Sequence, residues 1–136
     1  MKENIEDFLN KMLDFFPNIV NEYNEMCYEM QQDYSERLDT IIIEDLFMPE
    51  VVTLLEKNND TELLKKIFDY FEIVSSNADK ELENIFVVTT LEILGNEKKV
   101  LENAKMYMGP KTAILQYKAD RALGRVVKPP SFSGHI

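Results

Sequence analysis

The chain has little of the equipment on which most catalysis relies. Its 136 residues include one histidine, His135, and one cysteine, Cys27. A lone cysteine excludes an intramolecular disulfide, and beside Met26 it reads as a small packing residue. His135 stands next to the last residue, so no Cys/His zinc set can be assembled and a Ser/His/acid triad lacks a base near any plausible nucleophile. The four glycines form neither a phosphate loop of the Gly-rich Lys-Ser/Thr type nor a dinucleotide fingerprint after a strand. Long apolar runs are missing as well. No stretch approaches the roughly 20 residues that a membrane-spanning helix needs. The start Met1-Lys2-Glu3-Asn4-Ile5-Glu6-Asp7 lacks the hydrophobic segment of a secretory signal, which leads us to expect a cytoplasmic protein with no membrane contact.

Basic residues are scarce, and unevenly so. Residues 1–60 hold 15 acids and 4 bases, whereas residues 96–136 hold 3 acids and 8 bases, within a formal net charge of -10. Phosphate recognition needs a concentrated basic surface. The composition therefore speaks against direct nucleic-acid binding and for a basic protein partner, although an acidic excess also serves solubility alone.

What is present is helical periodicity around an apolar content of 45%, enough for one core in a chain of this length. The stretch Asp79 to Gly95 is apolar or Thr on almost every side through its middle, as expected of a helix buried on several faces. Asp79 is placed to cap its start, and Gly95 to close it in a left-handed conformation. The β-branched run Ile85 to Thr90 also admits a strand. Residues 3–15 form an amphipathic helix through Ile5, Phe8, Leu9, Met12, Leu13, Phe15 and Phe16, and Pro17 ends it or opens the next. Asp39 or Thr40 can cap a short segment with Ile41, Ile42 and Ile43, which suits helix or strand. Pro49 then opens a new helix, or the two form one kinked helix. Asn58-Asn59-Asp60 breaks the chain before a clean helix from Thr61 to Val74, joined to Asp79–Gly95 by a connection short enough to make the two antiparallel neighbours. Asn96 is placed to cap a helix reaching Met108. Gly109-Pro110 turns the chain into a last helix along Ala113, Ile114, Tyr117, Ala119 or Asp120, and Leu123. The expectation is an all-α fold: a compact bundle or stack of six to seven short helices in antiparallel pairs. It fills a single domain over 1–124, and 125–136 is an irregular C-terminal tail.

The segment from Asn18 to Leu38 carries the candidate site. At 100° per residue, Ile19, Val20, Tyr23, Met26, Cys27, Met30, Tyr34 and Leu38 fall within about 120°. Glu22, Glu25, Glu29, Asp33 and Glu36 fall on a separate strip, where like charges three or four residues apart repel by a few tenths of a kcal/mol each, roughly. A surface selected only for stability would more cheaply mix signs. We therefore take Glu22, Glu25, Glu29, Asp33 and Glu36, with Tyr28 beside them, as a protein-binding ridge, the competing reading being a solvated face. Tyrosine suits such a rim because its ring covers area at low entropic cost. The pair Glu44-Asp45 and the trio Glu22, Glu25, Glu29 offer oxygens to a hard cation only if other segments converge on them, and no Glu-x-x-His motif adds to them. No catalytic residue, metal or cofactor is expected. A carboxylate-metal enzyme is the least favoured alternative, behind a general helical interaction or scaffold protein.

The block Lys105-Met106-Tyr107-Met108-Gly109-Pro110-Lys111-Thr112, preceded by Leu91-Glu92-Ile93-Leu94-Gly95-Asn96 and Leu63-Leu64-Lys65-Lys66-Ile67-Phe68, resembles the DUF7674 family of small bacterial proteins over about residues 5–124. The chain differs from that pattern in having Ala122-Leu123, rather than a large aromatic, near the end of the last helix. Members of this family resemble immunity proteins of polymorphic toxin systems. The resemblance implies a cytoplasmic, non-catalytic protein that binds a cognate toxin, such as a basic toxin domain, and blocks it.

Overall fold

In the computed structural model, which describes residues 1–125 and 127–130, seven helices follow one another. They are α1 (Ile5–Phe15), α2 (Val20–Tyr34), α3 (39–57), α4 (Thr61–Asn77), α5 (80–94), α6 (Lys98–Lys105) and α7 (Pro110–Ala122). Asn4 and Asp7 cap α1 reciprocally, each side chain accepting from the other's backbone N–H. Pro17 closes off α1 and opens a 3₁₀ turn, Pro17–Ile19, that leads into α2. Asp60 caps α4 by accepting from Leu63 N at 3.2 Å, and Asp79 caps α5 by accepting from Leu82 N at 2.8 Å. Asn58 ends α3 in the left-handed region at φ 46°, a conformation that asparagine tolerates better than most residues.

The two stretches that admitted strand are instead the places where helices widen. In α3 the turns at Ile43–Phe47 are π-helical, and in α5 so are those at Phe86–Leu91. A π turn closes i→i+5 bonds, so buried side chains recur at five: Ile42 with Phe47, Ile43 with Met48, Phe86 with Leu91. The two wide segments pack against each other. The widening also settles Pro49. It opens no new helix but rides within α3 just after the π segment, where the loosened ladder accommodates its missing N–H.

Around this centre lies an aromatic cluster. Phe8 of α1 meets Phe71 of α4 at 6.3 Å and Phe86 of α5 at 6.1 Å between ring centroids, and Phe71 meets Phe86 edge-on at 5.3 Å. Phe68 extends it to Tyr107, beyond α6, at 6.0 Å. Helix α4 thus pairs with α5, as the short connection requires, and lies along α7 as well. The residues before α1 are extended rather than helical. Glu3 N donates to Asn77 O at 2.9 Å and Asp79 N donates to Glu3 O at 2.8 Å, so the start of the chain straps the α4–α5 connection.

Several sequence expectations fail for local reasons. Helix α2 stops at Tyr34, because Ser35 takes a left-handed conformation at φ 61°, which leaves Glu36 beyond the helix. Asp39 and Thr40 do not cap α3. Its cap position is Leu38, and the Asp39 carboxylate instead accepts from Arg37 Nε. Asn96 does not cap α6, because its side-chain oxygen is taken by Arg125 at 2.6 Å and Glu97 holds the cap position. Helix α6 ends at Lys105, short of Met108. Gly95 is not left-handed, with φ −85°. A Cβ there would lie 2.3 Å from Asp120 Oδ1 and 2.4 Å from Arg125 Nη1, so the glycine leaves room for those side chains to approach the turn rather than supplying a left-handed backbone. Ile114 of the last helix and Leu123 just past its end are exposed. Of the tail, Arg125 is fastened to α7 and to the α5–α6 turn, whereas Val126, residues 131–136 and with them His135 lie outside the described residues.

Phe86, only 1% exposed, offers a direct check of the core. Phe86→Ala should cost about 3–5 kcal/mol in urea unfolding; a loss below about 1 kcal/mol would contradict its place between Phe8 and Phe71.

Candidate protein-binding surface

Helix α2 is the least embedded long helix of the fold. Met30 is its one buried residue, with Tyr23, Met26 and Cys27 half-buried against the core. The Tyr23 ring lies 6.1 Å from that of Phe47, and Met30 Sδ accepts from Leu38 N at 3.4 Å. This narrow line of attachment turns the rest of α2 outward. Glu22, Glu25, Tyr28, Glu29 and Asp33 are all exposed on it, and Glu36 is exposed just past its end. Tyr34, which the periodicity placed on the apolar line, is 62% exposed at the last turn, and Tyr28 is 67% exposed.

The electrostatics of the surface follow from where the nearest base points. Arg37 reaches back to Glu6 and across to Asp39, so it is engaged by acids outside the ridge. Among the described residues none of Glu22, Glu25, Glu29, Asp33 or Glu36 forms an ion pair. On the inner side of α2, burial pushes the Tyr23 phenol up to about 12, with the neighbouring Cys27 thiol adding to the effect. Glu44 and Asp45 are exposed on the π segment of α3. Among the described residues no three or more His, Cys, Asp or Glu side chains converge in a way that could hold a metal ion, so neither Glu44-Asp45 nor Glu22, Glu25 and Glu29 gains the further ligands it would need. No helix among those residues is long and apolar enough to cross a membrane.

The model of the family described as domain of unknown function (DUF7674) matches residues 9–123. The chain belongs to the DUF7674 family. No curated protein and no solved structure matches it. In this DUF7674 domain the block Tyr107-Met108-Gly109-Pro110-Lys111-Thr112 has a structural task. Helix α7 has no side-chain cap of its own, since its cap residue is Gly109. The Glu72 carboxylate of α4 supplies one from outside, accepting from Lys111 N, Thr112 N and Thr112 Oγ1, each at 2.9 Å. Gly109 makes room for it, because a Cβ there would sit 2.5 Å from Glu72 Cδ. Ser75 Oγ and Thr112 Oγ1 share a further bond at 2.8 Å. Sequence periodicity places Glu72 on the polar side of α4 and carries no sign of this use. It likewise misses the polar cluster of Gln116, Asp120 and Arg125. Gln116 Nε2 donates to Leu91 O at 2.8 Å, and Arg125 Nη1 donates to Asp120 Oδ1 at 2.7 Å.

Two outcomes follow. Glu72→Ala should destabilise the domain by about 1.5–3 kcal/mol in denaturant unfolding, the worth of hydrogen bonds to a charged group, and Glu72→Gln by less; equal and negligible losses would contradict the cap. For Tyr23 the raised folded pKa means that the unfolded chain releases its phenolic proton first. Stability is therefore full below pH 10 and falls as pH rises from 10 towards 12. Tyr23→Phe should shrink that alkaline loss, as measured by unfolding across this range.

Proposed function

We propose that this DUF7674 domain is a protein-binding module without turnover of its own, and that it neutralises a basic toxin domain in the cytoplasm by docking its α2 face onto it. The observation that carries the reading is the exposed row Glu22, Glu25, Glu29 and Asp33, continued by Glu36. The row has no ion pairs among the described residues, and Tyr28 stands beside it 67% exposed. Leaving like charges unpaired along one helix costs stability, and a cationic partner would convert that cost into attraction. Such a row raises encounter rates with a positively charged cleft, while an aromatic at its rim supplies contact area. The resemblance of the family to immunity proteins points to the same kind of partner.

The test uses the protein encoded beside this chain's gene as the partner. Glu25→Lys with Glu29→Lys should slow association about ten-fold at low salt and flatten its salt dependence, with helicity and thermal stability nearly unchanged. An unaltered rate and salt slope, or no binding by that neighbour, would overturn the reading.

A further inference from the structure

Charge of the two signs is carried by two helices far apart in the chain. Every charged side chain that α7 exposes is basic: Lys111, Lys118 and Arg121 are exposed, while the one acid of the helix, Asp120, is buried. At 100° per residue these three bases and the exposed Ile114 fall within an arc of about 80°. Among the described residues none of the three bases forms an ion pair. Glu22, Glu25, Glu29 and Asp33 of α2 occupy an arc of the same width, about 80°. At 1.5 Å per residue the acids run along about 16 Å of α2, and Lys111 to Arg121 along about 15 Å of α7. The two faces thus match in width and length and are opposite in sign, and within one copy they make no ion pair with each other.

We infer that the chain associates with itself, the basic face of α7 on one copy docking along the acidic face of α2 on the next. With the two helices antiparallel, Arg121 stands opposite Glu22 and Lys118 opposite Glu25, while Lys111 reaches Asp33. Ile114 then comes level with Glu29 and its neighbour Tyr28, so an apolar contact lies between the charged ones. The antiparallel sense also sets the positive end of each helix dipole beside the negative end of the other. A single helix on a single helix is a small interface, and the association is correspondingly weak and reversible. Two copies of net charge -10 repel at long range, but beyond a Debye length of about 8 Å at physiological salt that repulsion is screened, whereas charges in contact are screened much less. The inference uses the α2 acids and does not need the toxin reading, since the complementary face belongs to the chain itself.

The full-length chain is followed by sedimentation equilibrium from about 10 μM to about 1 mM, in sodium chloride at about 0.1 M and about 0.5 M. The expected result is an average mass that climbs above 15.9 kDa with concentration at the lower salt, with a dissociation constant at least about ten-fold weaker at the higher. Glu22→Lys with Glu25→Lys, and separately Lys118→Glu with Arg121→Glu, change exposed side chains only, and each pair should hold the chain monomeric. An equimolar mixture of the two variants should associate again, because the unaltered α7 of the first meets the unaltered α2 of the second. A variant that had merely lost its fold could not give that recovery. A mass that stays at 15.9 kDa up to about 1 mM, association undiminished in either variant, or a mixture that stays monomeric overturns the proposal. No toxin is present, so failure here leaves the test with the neighbouring protein standing.

Discussion

The packing of one widened helix on another governs the arrangement of the rest. Where Ile43–Phe47 meets Phe86–Leu91, two helices present buried side chains at a spacing of five, a period that straight α-helices cannot supply. The extra residue in each turn lets two adjacent residues, Ile42 and Ile43, point inward and be followed by Phe47 and Met48, all four without solvent exposure. Close packing of this kind leaves little tolerance for volume change. It fixes the angular setting of both helices, and through Phe86 the position of the aromatic cluster that gathers α1 and α4.

Around that centre the polar interactions act as local fastenings between helix ends. Glu72 holds the start of α7, Asn103 Nδ2 donates to Leu55 O at 2.8 Å near the end of α3, and Tyr107 Oη reaches Asn58 Oδ1 at 2.5 Å. Helix termini carry the unpaired backbone groups, so these three contacts sit where a short helix most needs help. The family block from Lys105 to Thr112 supplies two ends of this scheme, Tyr107 towards α3 and Thr112 towards α4. Tyr107, Gly109 and Thr112 thereby have an architectural task.

Much of the helical order was legible because α1 and α4 keep one period throughout, although the same pattern ran the first helix back to residue 3 and so passed over Asn4 as its cap. The π segments were not, since β-branched residues suit strands and the 3.6 template has no place for a spacing of five. The end of α2 was missed for a different reason. Ser35 in a left-handed conformation breaks an apolar pattern that would run on to Leu38, and no local residue type announces it. Of the candidate surface, the acids could be read directly because they needed only a helix and a buried line. What could not be read was the fate of neighbouring charges, such as Arg37 turning to Glu6 and Asp39, which depends on helices brought together from distant parts of the chain.

The strap formed by Glu3 across Asn77 and Asp79 bears on the order in which the molecule can assemble. It joins segments more than half the chain apart, and closing so long a loop carries a large entropic cost until other contacts hold its ends near each other. During synthesis the first residues emerge well before residue 79 does, so α1 must wait with Phe8 uncovered while α2, α3 and α4 are made. Helix α1 and its leading segment can therefore complete their packing only once the α4–α5 connection is present. An extension placed ahead of Glu3 would bear on that closing contact.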